Sequence, residues 1–331
     1  MDDEDNYEIL GVGAPLLDHL LIVNEEYLNQ ISGEKYGMET IDYPEMIQII
    51  EGSGTVPKQI AGGSCANAIK GLASLGRKCA MTGKIGRDAI GEKVLENLQD
   101  LGVTPLLHYS TTPTAHVTCL ITPDGKRTCR SYLGASREMG PSDLQPEHFE
   151  GVRLVHIEGY TLLCNGLTQK AMQLAKEKGA LVSFDLGSFE IVNDHKNLIL
   201  VLLEKYVDVV FANEDEIYAL TGHHPKEGCS AISTLCKIAV VMIGKDGCWI
   251  GHNNTPHQYP SLQVEAIDTT GAGDLFASGF LHGYLAGMPL DACARWGAIT
   301  GSTVVQIVGA EIPPERWEQI KRELSRNKLK N

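Results

Sequence analysis

The stretch "AIDTTGAGDLFASGF", residues 266–280, places two glycines, an alanine and an acid directly before an apolar pattern. Phe276 and Phe280 recur at helical spacing, which predicts a helix that begins near Gly273. The first N–H groups of a helix have no partner within it and carry a partial positive charge. Glycines let an anion reach that backbone, so the pattern indicates an anion-binding turn. The alternative is that Asp274 only complements the helix dipole.

A second glycine-rich stretch, "AGGSCANAIKGLASLG" at residues 61–76, has a similar pattern. Its double glycine precedes a predicted helix whose apolar residues recur at helical spacing. Asn67 lies in the first turn of that helix, where its side chain either binds a ligand or makes a local capping contact.

Two other glycine-rich stretches match known motifs only in part. "GVGAPL" (11–16) lacks the third glycine of a dinucleotide fingerprint, and Pro15 interrupts its turn. "GLASLGRK" (71–78) has Arg77 where a P-loop requires lysine. A NAD-dependent dehydrogenase is therefore disfavoured.

The composition limits the classes of protein that the chain can represent. Its 331 residues, 43% of them hydrophobic, are enough for a substantial core. A net charge of −14 disfavours binding to nucleic acid or to an anionic membrane. The nine cysteines form no C-x-x-C pair, and the acidic start "MDDEDNYEIL" lacks the basic and apolar regions of a secretory signal. No apolar run is long enough to span a bilayer, so we expect a cytoplasmic protein with reduced thiols.

Short apolar runs alternate with amphipathic stretches over most of the chain. The pattern predicts strands within 153–159, 180–187, 207–213 and 237–244, and helices within 167–179 and 214–222. This order predicts an α/β fold, in which a mainly parallel central sheet has helices on both faces.

Two segments break this pattern and are predicted to be insertions. Residues 112–133 predict a β-hairpin with a turn at Asp124-Gly125, and residues 24–58 have weak periodicity and several glycines. The sequence therefore predicts a single domain over residues 1–331. It also predicts a small β lid built from two insertions, near residues 15–58 and 112–136.

Five motifs occur in one order along the chain and are more specific together than any of them alone. They are "GAPLLD" (13–18), "GGSCAN" (62–67), "GKIGRDAIGEKV" (83–94), "NEDE" (213–216) and "DTTGAGD" (268–274). The set resembles the PfkB (ribokinase-like) family of ATP-dependent carbohydrate and nucleoside kinases over nearly the whole chain. Within that family, "GVGAPLLDHLLIVNEEYL" followed by a long insertion is most similar to adenosine kinases. The resemblance implies the ribokinase-like fold.

The resemblance makes Asp274 the catalytic base, which accepts the proton of the attacking hydroxyl. Gly271, Ala272 and Gly273 then form the anion hole for the transferring phosphoryl group. Such a turn suits phosphoryl transfer, because that reaction needs positioning and charge neutralisation more than covalent chemistry from the protein.

The resemblance also implies sites for ATP and a metal ion. Asn213 and Glu216 match the family's N-x-x-E motif and would hold Mg²⁺ through water, although acids at a helix start also favour the dipole. Met242 stands where family members often have threonine. The implied ATP-binding residues are Asn213, Gly244, Gly247, Thr269, Gly309 and Ala310. A monovalent cation (K⁺) near Asp268 and Thr270 stays an open alternative.

For the phosphate acceptor, the resemblance places Asp18 on adjacent ribose hydroxyls, a task that suits a carboxylate because it accepts several hydrogen bonds. Capping a turn is the alternative role for Asp18. The implied substrate-binding residues are Asp18, Gly63, Asn67, Leu133, Ala135, Glu158 and Tyr160. The predicted acceptor is adenosine, with AMP as the product.

Two residues favour a different acceptor. Ala14 stands where adenosine kinases have asparagine, and Glu158 could bind a sugar hydroxyl. The alternative is therefore a sugar kinase of the same family that acts on fructose, ribose or a related sugar acid. The expected partners are these small molecules, without nucleic acid or membrane, and a homodimer through paired lids stays open.

Overall fold

The computed structural model describes residues 7–124 and 126–328. These residues form fourteen β-strands in two sheets. The strands are β1 (Ile9–Val12), β2 (Leu16–Ile22), β3 (Met38–Thr40), β4 (Lys58–Gly62), β5 (Cys79–Gly86), β6 (Val103–Ser110), β7 (His116–Ile121), β8 (Arg127–Tyr132), β9 (Leu154–Glu158), β10 (Leu181–Asp185), β11 (Val209–Asn213), β12 (Ile238–Met242), β13 (Cys248–His252) and β14 (Thr255–Tyr259).

Eleven α-helices accompany the strands in the described part of the chain. They are α1 (Glu25–Leu28), α2 (Tyr43–Gly52), α3 (Ser64–Ser74), α4 (Ala89–Asp100), α5 (Leu167–Glu177), α6 (Phe189–Tyr206), α7 (Glu214–Thr221), α8 (Pro225–Ile232), α9 (Ala272–Leu285), α10 (Leu290–Val304) and α11 (Pro314–Lys328). None of these helices combines the length and the apolarity that crossing a membrane requires.

The large sheet has nine strands in the order β14-β13-β12-β11-β10-β9-β1-β5-β6. Its strands run parallel except β13 and β14, which continue antiparallel from β12. Helices α5 to α8 pack on one face of this sheet, and α3, α4, α9 and α10 pack on the other. Successive residues of a strand point to opposite faces, so each strand contributes side chains to both apolar clusters. Leu10 and Val210 belong to one cluster, and Ile9 and Phe211 belong to the other. The predicted α/β fold is confirmed.

The second sheet has five strands in the order β3-β8-β7-β2-β4. The predicted hairpin is present, since β7 pairs antiparallel with β8, whereas Gly125 of the predicted turn lies outside the described residues. One face of this sheet packs Leu21 and Leu120 against Leu28 and Ile49 of α1 and α2. The other face is left to line a cavity.

Candidate active site

A cavity of about 1490 Å³ lies between the carboxyl ends of the parallel strands and the second sheet. Ligands of open α/β sheets bind at that end of the strands. The cavity is lined by Asp18 of β2 and Ser131 of β8 on one side, and by Asp185 of β10 and Asp274 of α9 on the other. Residues far apart in the sequence therefore share one site.

Asp274 is held by two side chains from the first turn of α3. Ser64 Oγ donates to Asp274 Oδ1 at 2.9 Å, and Asn67 Nδ2 donates to Asp274 Oδ2 at 2.9 Å. A residue that only complemented the helix dipole would need neither donor. Asn67 therefore contacts Asp274 across the site, and its side chain orients the carboxylate.

The protonation of Asp274 is set by competing effects. Burial raises the pKa of Asp274 to about 6, while the hydrogen bonds from Asn67 and Ser64 and the positive charge of Lys70 oppose that rise. Above pH 6 the side chain is mostly a carboxylate. It then has lone pairs left to accept a proton from a hydroxyl.

The turn before α9 presents free backbone N–H groups to the cavity. Gly271 caps the helix with φ 74°, and the Ala310 side chain packs where a Cβ on Gly271 would lie, so both conformation and space require glycine here. The N–H of Ala272 donates to Thr269 O at 3.2 Å. No described acceptor takes the N–H groups of Gly273 and Asp274. The predicted anion hole thus has two N–H groups, those of Gly273 and Asp274, without a described acceptor.

Arg127 reaches this turn from the second sheet. Its Nη1 donates to Asp268 Oδ1 at 2.7 Å and also to Thr270 Oγ1, and its Nη2 donates to Thr269 Oγ1 at 2.7 Å. The guanidinium thus adds a positive charge beside the predicted anion hole. Arg127 was not predicted from the sequence. Its position directly after the hairpin turn of the predicted insertion could have indicated a functional role.

Asp18 and Asn67 offer acceptors to ligand hydroxyls. The Asp18 carboxylate occupies the space that a Cβ on Gly62 would fill, so the first glycine of the pair makes room for it. Burial raises the pKa of Asp18 to about 7, with the charge of Lys70 opposing the rise. Asn67 Oδ1 is buried, and no described group donates to it. An unpartnered buried acceptor is costly, so it indicates a position where a ligand hydroxyl donates.

The remaining predicted acceptor residues differ in their placement. Gly63, Leu133 and Tyr160 line the cavity. Both oxygens of Glu158 accept backbone N–H groups, from Ala14 at 2.7 Å and from Cys65 at 2.8 Å, so this side chain ties β9 to α3 even though it lines the cavity. Ala135 is fully buried and is not among the described residues that line the cavity.

A group of acidic side chains stands beside the anion hole. Asn213 and Glu216 form a capping box at the start of α7, in which both Glu216 oxygens accept from Asn213. Asp185 is the last residue of β10 and accepts from Gly187 N at 2.9 Å. Burial raises the pKa of Asp185 to about 7 and that of Glu216 to about 8, with the charge of Asp185 adding to the rise of Glu216.

These oxygens fit a hard divalent cation that keeps most of its water. The charge of Asp185 raises the pKa of Glu216, and the charge of Asp274 raises the pKa of both, so a positive charge near these carboxylates would stabilise their ionised forms. No group of three or more His, Cys, Asp or Glu in the described segments could hold a metal ion directly. Mg²⁺ suits such a site because it binds through one or two carboxylates and its own waters. Asp185 was not predicted from the sequence, although its position at a strand end was a signal.

The raised pKa of Asp185 predicts a pH-dependent stability. A carboxyl group with a raised pKa binds more protons folded than unfolded, so its ionisation destabilises the folded state as the pH rises. Relative to the parent, Asp185→Asn should gain free energy of unfolding between pH 5 and 7, by at most about 1.4 kcal/mol per pH unit. Urea unfolding at each pH measures this difference. The exposed Asp194→Asn is the control, and a pH-independent difference for Asp185→Asn would contradict the prediction.

The predicted nucleotide residues divide into two groups. Asn213, Gly244, Gly247 and Thr269 line the cavity. Gly309 and Ala310 are absent from the described lining residues. They support the anion-hole turn from behind, since Gly309 N donates to Asp268 Oδ2 at 2.8 Å and Ala310 packs on Gly271.

An apolar strip extends the same part of the cavity. Leu262 and Val264 line it with 41% and 40% of their surfaces exposed. A flat apolar ring would cover this strip, because such side chains gain from losing contact with water. Sequence reasoning did not single out either residue.

Comparison with known proteins agrees with this fold and site. Residues 51–317 match the model of the pfkB family carbohydrate kinases. The structure is similar to adenosine kinase from Sinorhizobium meliloti, with 27% identity, a TM-score of 0.89 and coverage of 96% of this chain and 99% of that one. A probable sugar kinase from Rhizobium etli CFN 42 gives 30% identity, a TM-score of 0.86 and coverage of 96% and 98%. Fructokinase-1 of Oryza sativa subsp. japonica is 29% identical over 235 residues, 67% of this chain and 72% of the relative.

These matches, together with the anion-hole turn and its aspartate, define the class of protein. The chain belongs to the pfkB carbohydrate kinase family. It is an ATP-dependent kinase of the group that phosphorylates carbohydrates and nucleosides.

Proposed function

We propose that this kinase transfers the γ-phosphoryl group of ATP to the primary hydroxyl of a ribose-containing nucleoside, with adenosine as the preferred acceptor and AMP as the product. The observation that carries the nucleoside proposal is a set of apolar side chains, here called the apolar slot, in the wall of the cavity that Asp18 and Asn67 also line. The slot is lined by Leu133, Met139, Tyr160, Leu163 and Leu167. A purine ring buried there adds binding free energy that a free sugar lacks.

In the proposed reaction, Asp18 and Asn67 Oδ1 accept hydrogen bonds from the ribose hydroxyls and orient the primary hydroxyl. Asp274 accepts the proton of that hydroxyl while its oxygen forms the bond to the γ-phosphorus and the bond to the bridging oxygen of ADP breaks. The free N–H groups of Gly273 and Asp274 donate to the phosphoryl oxygens as their charge develops. Gly271, Ala272 and Thr269 hold that turn in place.

The nucleotide and the metal are assigned to the other part of the cavity. Gly244, Gly247 and Asn213 would contact ATP, with Gly309 and Ala310 acting through the turn that they support. Glu216 and Asp185 would hold Mg²⁺ through its waters. When bound, Mg²⁺ neutralises charge on the phosphate oxygens of ATP.

A sugar kinase is the alternative function. The fructokinase relative and Ala14 favour it. Glu158 supports it less, because its oxygens already accept two backbone N–H groups. The two functions differ in the use of the apolar slot, which a fructose or ribose molecule would leave in contact with water.

Acceptor binding tests this proposal. Isothermal titration should show tighter binding of adenosine than of fructose, and Asp18→Ala should weaken adenosine binding about ten- to a hundredfold, since a charge-assisted hydrogen bond contributes about 1.5–3 kcal/mol. Binding of a non-hydrolysable ATP analogue should stay unchanged. Asp100→Ala, at the exposed end of α4, is the control. Equal adenosine affinities for the parent and Asp18→Ala would remove Asp18 from the site.

We further propose that residues 1–331 form one kinase domain, with the second sheet as a lid over the acceptor. The ion pair between Arg127 of β8 and Asp268 supports that role. A cytoplasmic location is supported by the nine cysteines, all within the described part of the chain and all unpaired. A K⁺ ion near Thr270 stays a prediction, which a comparison of kinase activity in potassium chloride and in lithium chloride would test. A homodimer through the lids also stays a prediction, which sedimentation would test.

A further inference from the structure

Two cysteines face each other across the hairpin that lines the cavity. Cys119 of β7 and Cys129 of β8 are directly paired in the antiparallel register, and both line the cavity. They are near Asp18 and Arg127, since Cys119 is the register partner of Leu20 in β2 and Cys129 lies two residues after Arg127.

The backbone hydrogen bonds show whether Cys119 and Cys129 are a hydrogen-bonded or a non-hydrogen-bonded pair of the antiparallel ladder. Cys129 N donates to Gly37 O at 2.9 Å, so it points towards β3 and away from β7. Thr122 N donates to Lys126 O at 3.0 Å, so these two residues are a hydrogen-bonded pair. Hydrogen-bonded and non-hydrogen-bonded pairs alternate along an antiparallel ladder, so Cys119 and Cys129, three positions further along, are a non-hydrogen-bonded pair. In such a pair the Cα atoms are about 4.5 Å apart, a separation that a disulfide can bridge.

The two thiols also differ from the other cysteines in their electrostatics. The hydrogen bond from Cys119 lowers the pKa of Cys129, and the charges of Arg127 and Arg130 add to that effect. The same hydrogen bond raises the pKa of Cys119. By contrast, burial raises the pKa of Cys164, which also lines the cavity. Cys129 is also the more exposed of the two thiols, so it is the more reactive one, and Cys119 is placed to resolve its oxidised form.

We propose that Cys119 and Cys129 form a redox modification site, at which a peroxide converts the two thiols to a cross-strand disulfide in the wall of the acceptor cavity. The Cys129 thiolate attacks one oxygen of hydrogen peroxide, the O–O bond breaks, and a sulfenic acid and hydroxide form. Cys119 sulfur then attacks Cys129 sulfur, the S–O bond breaks, and the departing hydroxide takes the Cys119 proton as water. The two sulfurs are oxidised and the two peroxide oxygens are reduced.

The disulfide lowers kinase activity because it alters the wall that positions both substrates. It joins β7 to β8 on the face that also carries Arg127, so this part of the wall can no longer adjust around the substrates. It also fixes the wall beside Asp18. A displacement of about 1 Å at such residues can lower the rate about a hundredfold, so we expect at least a tenfold loss of kcat/KM for the acceptor.

The test treats the full-length protein with hydrogen peroxide and maps cysteine-containing peptides by mass. The expected product links Cys119 to Cys129, with the loss of two hydrogen atoms and reversal by dithiothreitol. Cys164→Ser should still form the link, whereas Cys119→Ser should accumulate Cys129 sulfenic or sulfinic acid. Activity of each variant is compared with its own untreated sample. Proteins with both thiols should recover full activity on reduction, whereas the fraction of Cys119→Ser that has reached the sulfinic acid should not recover.

Two results would overturn the proposal. One is oxidation of Cys129 without a link to Cys119 in the parent protein. The other is a disulfide between any other cysteines at the same peroxide concentration. The mass measurement needs no turnover, so it separates failure of this proposal from failure of the proposed acceptor.

Discussion

Asp274→Asn is expected to lower kcat about 10²–10⁴-fold, the usual contribution of a general base. Asparagine keeps the size of the side chain and an oxygen that can accept from Ser64, but it cannot take the proton of the acceptor hydroxyl. Folding and ATP-analogue binding should therefore persist. Steady-state kinetics, with circular dichroism and calorimetry on the same samples, measures all three properties.

The chain supplies a matched control for the dipole role. Asp291 lies in the first turn of α10 as Asp274 does in α9, and it is exposed. Asp291→Asn should change stability slightly and leave kcat at the parental value. If Asp274→Asn kept near-parental kcat as well, Asp274 would be a structural residue and the catalytic assignment would be wrong.

Arg127→Met is expected to lower kcat about a hundredfold, because it releases the turn that holds Asp274, and a misplacement of about 1 Å in reacting groups has an effect of that size. Its guanidinium bridges Asp268 and Thr269 at the proposed anion-hole turn. Methionine keeps much of the apolar stem and removes the charge and the donors. Arg127→Lys should give an intermediate kcat, because lysine restores the charge without the planar fork.

Lys126→Met is the control for this prediction. Lys126 is the exposed neighbour of Arg127, and it pairs with Asp124 at 3.0 Å in solvent. A surface pair of this kind contributes little, so Lys126→Met should leave kcat unchanged. Equal kcat values for Arg127→Met and the parent would mean that Arg127 only fastens the second sheet.

Strands β9 to β12 of the large sheet were predicted because they are short apolar runs buried on both faces. All five residues of β9 are buried, and β10 to β12 are buried almost throughout. By contrast, α2 was missed. Its ten residues bury only Met46 and Ile49, so its periodicity is weak.

The contacts of the site were harder to predict than its residue types. The Ser64–Asp274 hydrogen bond joins residues 210 positions apart, and the Arg127–Asp268 bond joins residues 141 positions apart. Nothing local to Ser64 or Arg127 indicates such partners. Likewise, the pattern around Ala135 could not show that this residue faces the core and not the cavity. Motifs predicted Asp274, and only the folded chain shows which side chains hold it.

The most direct test of the central claim is an ADP-release assay with ATP and Mg²⁺, in which adenosine, ribose and fructose are compared as acceptors. We expect the highest kcat/KM for adenosine, with AMP as the phosphorylated product. The reason is that the side chains of the apolar slot, among them Leu133 and Tyr160, would cover a purine ring, whereas a free sugar would leave them in contact with water. A sugar that is phosphorylated with a higher kcat/KM than adenosine would contradict the account.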